Sequence, residues 1–446
     1  MRHLLIAVSL LFVITTASFG QNKTEFKPEV KIGGTMFTGW TDNIDNSDFI
    51  GKLDTSASTG VNPGSAFGFN PVKNQFETDK NSFYLDRAYI NIRASLTPQI
   101  SARITPDITS IVDQAGVTQW TYQLKYGFVD YTPLAMDNGS SLTFEVGVLP
   151  NYWINNVEKA YGFRGVQKTL TDYGWTMSAS RNGTTVTRKT GSYFSSADLG
   201  LTAKFTFPDK IADLYVAVLN GNGYKNLAYD QNRFKDFMAS AFIYPLQGTI
   251  KQNMDAAKKM NKTRIDGIAD LTVGGFAYMG KLGSNEYGVV NGGSYKNNRF
   301  GGMANFKYNF KNFGYIKVGG ELSLQSNQVP SSTPATSDST FSAQGISTWV
   351  EFNPPIEMLQ EKLMFTFRYD TFTPNTTGPG TNLTGFTGDA NKQSLMIIGL
   401  MFKPSSVLTL GLNYQSQGFD KNYIVNYDGT TKSTLNRLYF NTIIEF

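Results

Sequence analysis

Residues 83–107 read FYLDRAYINIRASLTPQISARITPD, and this stretch sets the pattern for the whole chain. Most of its even positions are apolar, namely Tyr84, Ala88, Ile90, Ile92, Ala94, Leu96, Ile100, Ala102 and Ile104. Most of its odd positions are polar, and a period of two indicates a strand with one apolar and one wet face. Thr97-Pro98-Gln99 supplies a tight turn, because Pro fixes φ and cannot donate to a ladder. Each limb has about ten residues, the length of a tilted strand that crosses a bilayer.

The same alternation recurs along the chain, and the connections between alternating segments differ in length. Short, turn-like connections fall at 97–99, 208–210, 311–312 and 404–405. Long polar connections fall at 42–80, 150–196, 281–298, 326–341, 371–390 and 416–434. Short turns on one side and long loops on the other are typical of outer-membrane barrels. The sequence therefore predicts an all-β, transmembrane, up-and-down antiparallel β-barrel of about 16 strands, with an open interior.

Both ends of the chain carry export signals. Residues 1–20 combine a short basic start, an apolar run and small residues before Gln21, which predicts a secretory signal peptide. We expect residues 21–446 to form the barrel domain. The last segment places Leu438, Phe440, Thr442, Ile444 and Phe446 on one face, a terminal aromatic pattern typical of proteins inserted into the bacterial outer membrane. The expected surroundings are therefore outer-membrane lipids.

Composition excludes several classes of function. The chain has no Cys, and its one His, His3, lies in the expected signal peptide. Ser-His-Asp triads, Cys-His pairs and histidine zinc sites are thus excluded from the mature chain, and we expect no enzyme and no cofactor or metal. The formal net charge of +5 is modest and its basic residues are dispersed, so we expect no nucleic-acid partner.

The first half of the mature chain resembles the phosphate-selective porin O and P family. The segments that carry the resemblance are 86–93, 103–107, 126–131, 146–150, 197–201 and 219–221. The resemblance implies a homotrimer of sixteen-stranded channels in which basic side chains on the pore wall and on inward-folded loops pass small anions such as phosphate. The family pattern has a second basic residue beside Arg87, where this chain has Asp86.

Alternation also predicts which basic side chains line the pore. The candidates for pore lining and anion binding are Arg87, Arg93, Arg103, Lys125, Arg164, Lys168, Lys307, Lys317, Arg368 and Arg437. These assignments depend on register, because a slip of one residue turns every following side chain to the other face. An alternative for any one of them is pairing with an acidic residue on a neighbouring strand.

Two connections have features of their own. Residues 150–196 form the longest one after the barrel begins, and their aromatic and basic residues predict a loop folded into the lumen. Residues 172–180 also alternate, so they are either a strand or part of that loop. Residues 249–264 form a basic, helix-like connector, interpreted as a structured turn or a binding segment for a partner or lipid headgroups.

The sequence thus predicts a passive channel for small polar or anionic solutes. One alternative is a porin for neutral sugars or other small nutrients. Another is a plugged barrel that serves as a surface adhesin or structural protein.

Overall fold

The computed structural model describes residues 26–44, 49–52, 81–112, 118–173, 175–182, 185–191, 193–224, 234–260, 264–283, 294–329, 339–359, 362–373, 392–419, 424–426 and 431–446. Sixteen antiparallel strands close into one barrel, which confirms the predicted fold class. In chain order they are β1 (Glu29–Asn43), β2 (Asn81–Ser95), β3 (Ile100–Val112), β4 (Thr118–Ala135), β5 (Ser141–Pro150), β6 (Ala197–Thr206), β7 (Ala212–Leu219), β8 (Asp236–Ile243), β9 (Gly267–Gly283), β10 (Ser294–Asn309), β11 (Tyr315–Val329), β12 (Ser339–Asn353), β13 (Leu363–Thr373), β14 (Gln393–Ser405), β15 (Leu408–Phe419) and β16 (Thr434–Glu445). The predicted signal peptide, residues 1–20, lies outside the described residues.

Each strand pairs with its neighbours in sequence, and β1 closes the barrel against β16. The seam extends from Thr35 opposite Glu445 to Asn43 opposite Arg437. Backbone hydrogen bonds between Gly34 and Phe446 continue it to the end of the chain. A Cβ at Gly34 would lie 2.4 Å from Cζ of Phe446, so glycine allows the terminal ring to cover this position.

Short turns and long connections lie at opposite ends of the barrel, which we call the turn side and the loop side. The turn side includes residues 96–99 and 310–314, together with helix α2 (Gln247–Lys259) between β8 and β9. The loop side includes the connection from β5 to β6, called here the lumen loop (residues 151–196). Helix α1 (Tyr152–Tyr161) begins that loop. Among the described residues, no helix is long and apolar enough to cross a membrane.

Small sheets outside the wall resolve one of the sequence alternatives. Trp175–Asn182 is a strand, but it pairs with Thr185–Gly191 inside the lumen loop and adds nothing to the barrel. Because these two strands form a hairpin of their own, the barrel keeps its alternation of short and long connections. On the same side, Phe49–Lys52, Ile424–Asn426 and Thr431–Lys432 join the first and last long connections in a three-stranded sheet.

Two bulges make several aromatic residues face the opposite way from simple alternation. In β2 the register shifts at Asp86, so that Tyr84 faces the lumen together with Arg87, and its hydroxyl accepts a hydrogen bond from Asn441. In β4 the shift falls at Lys125. Simple alternation would place Trp120, Tyr122, Leu124, Tyr126 and Phe128 on one outer face. The first three do face outward, whereas Tyr126 and Phe128 are buried on the inner side. An extra residue in one strand reverses the alternation beyond it. The β4 bulge lies opposite Pro106 of β3, which cannot donate to the ladder, whereas no Gly or Pro marks the bulge at Asp86.

The lumen loop folds into the barrel, as predicted, and fills one side of it. Its apolar residues Trp153, Ile154, Val157, Tyr161 and Leu170 pack on inward-facing side chains of β7–β14. We call this wall the filled side, and the wall formed by β1–β6 the open side. Burial of large aromatic and aliphatic side chains is the main stabilising contribution to this packing.

Candidate functional site: the lumen and its loop

Helix α1 starts at a side-chain cap and is fixed to the wall by its first turn. Asn151 Oδ1 accepts hydrogen bonds from the backbone N–H groups of Trp153 and Ile154, at 3.1 and 3.3 Å. Trp153 donates from its indole nitrogen to Glu321 Oε1 of β11 at 2.7 Å and stacks on Phe242 of β8. The helix ends at Gly162, whose φ of 87° is the left-handed conformation that glycine adopts easily.

Two predicted anion-binding residues instead hold the far end of α1. Arg368 is 1% exposed, donates to Asp370 Oδ2 at 2.6 Å and lies over the Tyr161 ring. Lys317 pairs with Glu351 and donates to the backbone oxygen of Tyr161 at 3.0 Å. Both lie on the filled side, beneath the loop. Neither residue binds anions as predicted from alternation, because each charge has a carboxylate partner and is covered by the lumen loop.

A neck of ion-paired side chains lies where the loop faces the open side. Arg164 Nε donates to Glu158 Oε1 at 2.7 Å, and its guanidinium lies 3.7 Å from Asp172 and 3.8 Å from Asp86. Lys168 lies 3.8 Å from Asp172. Burial raises the pKa of the Glu158 carboxyl; Arg164 opposes this shift and Asp172 adds to it. The bulged Asp86 thus contributes an acid to the neck.

Arg87 belongs to the same region and meets a residue that sequence reasoning missed. Its Nη1 donates to Asp107 Oδ2 at 2.9 Å, and the Tyr224 hydroxyl donates to that oxygen at 3.0 Å. Tyr224 comes from the connection between β7 and β8 and is buried. It follows Asn220-Gly221-Asn222-Gly223, a turn in the sequence, but no local pattern indicates that this turn folds inward.

A cavity of about 630 Å³ opens on the turn side of the neck, between α1 and the open wall. Its charged lining comprises Lys31, Arg93, Arg103, Lys125, Lys159, Arg164 and Lys204, with Asp130, Glu145, Glu158 and Glu445. The sequence-predicted residues Arg93, Arg103, Lys125 and Arg164 are therefore brought together here. Basic residues outnumber acidic ones by seven to four, which favours a positive local potential.

Aromatic rings, rather than carboxylates, hold several of these cations. The guanidinium of Arg103 lies 4.4 Å from the Tyr126 ring centre, and Lys125 Nζ lies 4.3 Å from that of Tyr89. Lys204 lies near the rings of Tyr152 and Tyr215, which stack on each other at 4.1 Å. Within the part of the chain that the structure describes, none of these three cations forms an ion pair. A ring face stabilises a cation without neutralising its charge.

A second cavity, of about 310 Å³, lies on the loop side of the neck. The basic residues that line it are Arg87, Lys168 and Arg299, and the acidic ones are Asp172 and Asp198. Arg299, on β10, lies 4.9 Å from the Tyr278 ring centre and 5.3 Å from that of Phe194. Arg87 and Lys168, two of the sequence candidates, thus border this cavity.

The two remaining candidates lie apart from both cavity linings. Lys307 Nζ lies 3.9 Å from the ring centre of Tyr315, at the register position opposite Lys317. Arg437, on β16, interacts electrostatically with Tyr173 of the lumen loop. Over the described ranges, no group of three His, Cys, Asp or Glu side chains could hold a metal ion.

Comparison with solved structures places this architecture among bacterial channels. An anion-selective porin from Comamonas acidovorans has a TM-score of 0.52 at 9% identity, with 94% of this chain and 100% of that chain covered. The outer membrane channel DcaP of Acinetobacter baumannii has a TM-score of 0.51 at 11% identity, with 96% and 100% covered. The chain has a porin fold.

At these identities the likeness shows the porin fold alone. No family model matches the sequence. No curated protein matches it either. The function therefore has to be argued from the lumen of this chain.

Proposed function

We propose that this chain is a passive channel of the bacterial outer membrane that passes small polar solutes and prefers anions, phosphate among them. Its apolar outer face suits a bilayer, with Ile32, Phe83 and Tyr122 each more than 70% exposed. The lumen loop leaves cavities on both sides of the neck, the turn-side one along the open wall and the loop-side one reaching across to β9 and β10. A solute would move from one cavity to the other past Arg87, Arg164 and Lys168.

The observation that carries the anion preference is the contrast between the cations beneath the loop and those that line the turn-side cavity. On the filled side, Lys317 and Arg368 are paired with carboxylates and covered by the loop. On the open side, Arg103, Lys125 and Lys204 are held by aromatic rings and keep their charge. Fixed positive charge between low-dielectric walls raises the local concentration of anions and lowers that of cations.

The proposal includes export by the N-terminal signal peptide, residence among outer-membrane lipids, and assembly as a homotrimer. It assigns no catalytic residue, no cofactor and no nucleic-acid partner. We place Arg87, Arg93, Arg103, Lys125, Arg164 and Lys168 along the path of the solute. We assign Lys317 and Arg368 to anchoring of the loop, and no role in conduction to Lys307 or Arg437.

Ion selectivity in a planar bilayer tests the anion preference. Under a potassium chloride gradient, the reversal potential of the wild-type channel should show chloride to be more permeant than potassium. The triple variant Arg93→Gln, Arg103→Gln, Lys125→Gln should shift that potential towards potassium. The matched control removes three exposed turn-side lysines, Lys311→Gln, Lys362→Gln and Lys403→Gln, and should leave the potential near the wild-type value. A wild-type preference for potassium would overturn the anion proposal.

A channel for neutral solutes is the second candidate, and the neck favours it. Three basic residues, Arg87, Lys168 and Arg164, there face four acidic ones, Asp86, Asp107, Glu158 and Asp172. A neck without an excess of positive charge would pass sugars and other uncharged nutrients as readily as anions. Equal chloride and potassium permeability, together with a current blocked by a sugar, would support this reading. Absence of any conductance would instead support the plugged barrel.

A further inference from the structure

Two like-charged pairs lie side by side on the open wall of the turn-side cavity. Arg93 of β2 is the register partner of Arg103 of β3, and Asp130 of β4 is the register partner of Glu145 of β5. All four side chains line the cavity. Directly opposed residues on one face of a sheet have Cβ atoms about 4.5–5.5 Å apart, and like charges at that distance repel. Such a pattern costs stability unless something else compensates each pair.

The two pairs are close to each other but do not neutralise each other. Ser101 is the register partner of Asp130, so Arg103, two residues further along β3, is a diagonal neighbour of the acid. Even so, the described part of the chain contains no ion pair between them. Arg103 instead donates to Asn91 Oδ1 at 2.7 Å and to Thr105 Oγ1 at 3.0 Å. Arg93 has neither a hydrogen bond nor an ion pair there.

The acidic pair has acceptor capacity that the protein leaves unused. Asp130 Oδ2 accepts from the Ser101 hydroxyl at 2.8 Å, and Glu145 Oε1 accepts from the Tyr152 hydroxyl. The second oxygens, Asp130 Oδ1 and Glu145 Oε2, are buried and accept no hydrogen bond. Glu145 is only 4% exposed, although it borders the cavity. A buried carboxylate oxygen without a donor is unfavourable, so each acid would gain a hydrogen bond if its carboxylate turned towards the cavity and met a donor there.

We propose that this wall is a binding subsite for zwitterionic solutes, namely α-amino acids and short peptides. Their carboxylate would lie on Arg93 and Arg103, since guanidinium groups recognise carboxylates by paired hydrogen bonds. Their ammonium group would lie beside Asp130 and Glu145, whose carboxylates would turn towards the cavity to accept hydrogen bonds from it. Neighbouring strands are about 4.8 Å apart, which suits a molecule whose two charges are attached to one carbon atom. This inference rests on the proposed channel function and specifies one class of solute for it.

The site should be tested by current block in a planar bilayer with L-alanine and N-acetyl-L-alanine as probes. Alanine carries both charges, whereas the acetylated form lacks the ammonium group and keeps the carboxylate. In the wild-type channel, alanine should block at a lower concentration than N-acetylalanine. Glu145→Gln and Asp130→Asn should each raise the blocking concentration of alanine about tenfold, as expected for the loss of one hydrogen bond to a charged group. Block by N-acetylalanine should not weaken.

A matched control removes an acid from the same hairpin without touching the cavity. Asp137 lies exposed in the turn between β4 and β5, so Asp137→Asn should leave both blocking concentrations unchanged. Assembly of each variant is checked by the gel shift on heating, and the two acid variants test the site independently. Equal block of the wild type by the two probes would overturn the zwitterion site. Alanine block that is unchanged in both acid variants would also overturn it. That result is expected if Asp130 and Glu145 merely share a proton with each other. If the zwitterion site fails but the channel conducts and prefers chloride, the proposed channel function still stands. If the protein shows no conductance, both the channel function and the zwitterion site are overturned.

Discussion

Several cations on the open wall keep a charge that no carboxylate compensates, because they lie against aromatic rings. Tyr126 is buried only because the bulge at Lys125 turns it inward, and that turn places its ring against Arg103. A carboxylate in the same position would stabilise the arginine more strongly, but it would cancel the charge that anions sense. The pairing of basic residues with rings thus retains a positive field at a modest energetic cost.

Removing the ring should weaken the effect of the charge. In Tyr126→Leu, Arg103 loses the face on which it lies, and its guanidinium becomes free to swing towards Asp130. We expect the chloride-to-potassium permeability ratio to fall about two- to fivefold, corresponding to a cation–π contribution of about 0.5–1 kcal/mol. Reversal potentials provide the measurement. Tyr126→Phe keeps the ring and should behave as the wild type; equal losses in both variants would contradict the role of the ring.

Acidification should make the channel more selective for anions. The pKa of Glu158 is raised by burial, so this carboxyl takes up a proton at a higher pH than an ordinary glutamate. Its loss of negative charge leaves Arg164 less compensated, and the neck becomes more positive as the pH falls. Reversal potentials at neutral and mildly acidic pH should show the change. Glu158→Gln should be more chloride-selective at neutral pH and respond less to acid; an unaltered pH response would exclude Glu158 as its source.

The facing of these side chains was only partly predictable. Alternation correctly placed Arg93 and Arg103 inward because no bulge intervenes between Arg87 and the turn at residues 97–99. It failed for Tyr84, Tyr126 and Phe128, which lie beyond the inserted residues Asp86 and Lys125. A bulge depends on the hydrogen bonds of the neighbouring strand. Pro106 marks the β4 bulge from the neighbouring strand, but neither β4 nor β2 carries a signal of its own at the inserted residue.

Among the elements, the lumen loop determines which part of the barrel interior remains accessible. Its length and aromatic content predicted that it would fold inward. The wall on which the loop packs was not predictable, because Trp153 binds Glu321, a residue 168 positions away in the sequence. Arg368 and Lys317 have the alternation expected of pore-lining residues, and only the position of the loop shows that they are covered.

Loosening the loop should widen the channel. Trp153 is fully buried between the wall and the helix, so Trp153→Ala should cost about 3–5 kcal/mol of packing energy. We expect a larger and noisier single-channel conductance while the barrel still assembles. Lys311→Ala changes an exposed turn-side residue that lines neither cavity, and should leave the mean conductance within the range of other surface variants. Trp153→Ala channels with the wild-type conductance would show that the loop does not limit the current.

For the molecule as a whole, the proposed trimer can be tested by native mass measurement in detergent. A porin-type assembly should give one species of three chains and three correlated conductance steps. Heating should dissociate it and unfold the barrel, with a change in gel mobility. A single-chain species with unit conductance steps would show that the barrel works alone.

The end of the chain should matter for assembly more than its size suggests. Phe446 exchanges two backbone hydrogen bonds with Gly34 and covers it with its ring. Deletion of Phe446 should therefore reduce the amount of heat-modifiable barrel in the membrane without reducing synthesis, as quantified by blotting of both fractions. Phe446→Tyr retains the ring and serves as the control. Undiminished assembly of the deletion variant would contradict this role.

The seam between β1 and β16 also fixes the order of events in biogenesis. Fourteen of the strands need only a neighbour in sequence, so their hairpins can form while the chain is still arriving. Thr35 cannot pair until Glu445, the residue it faces, is present, and until then the sheet has two unpaired edges that other chains could join. The last step is thus a ring closure between distant segments, and distant contacts form slowly. We therefore expect the open sheet to be most prone to aggregation in the interval before β1 meets β16.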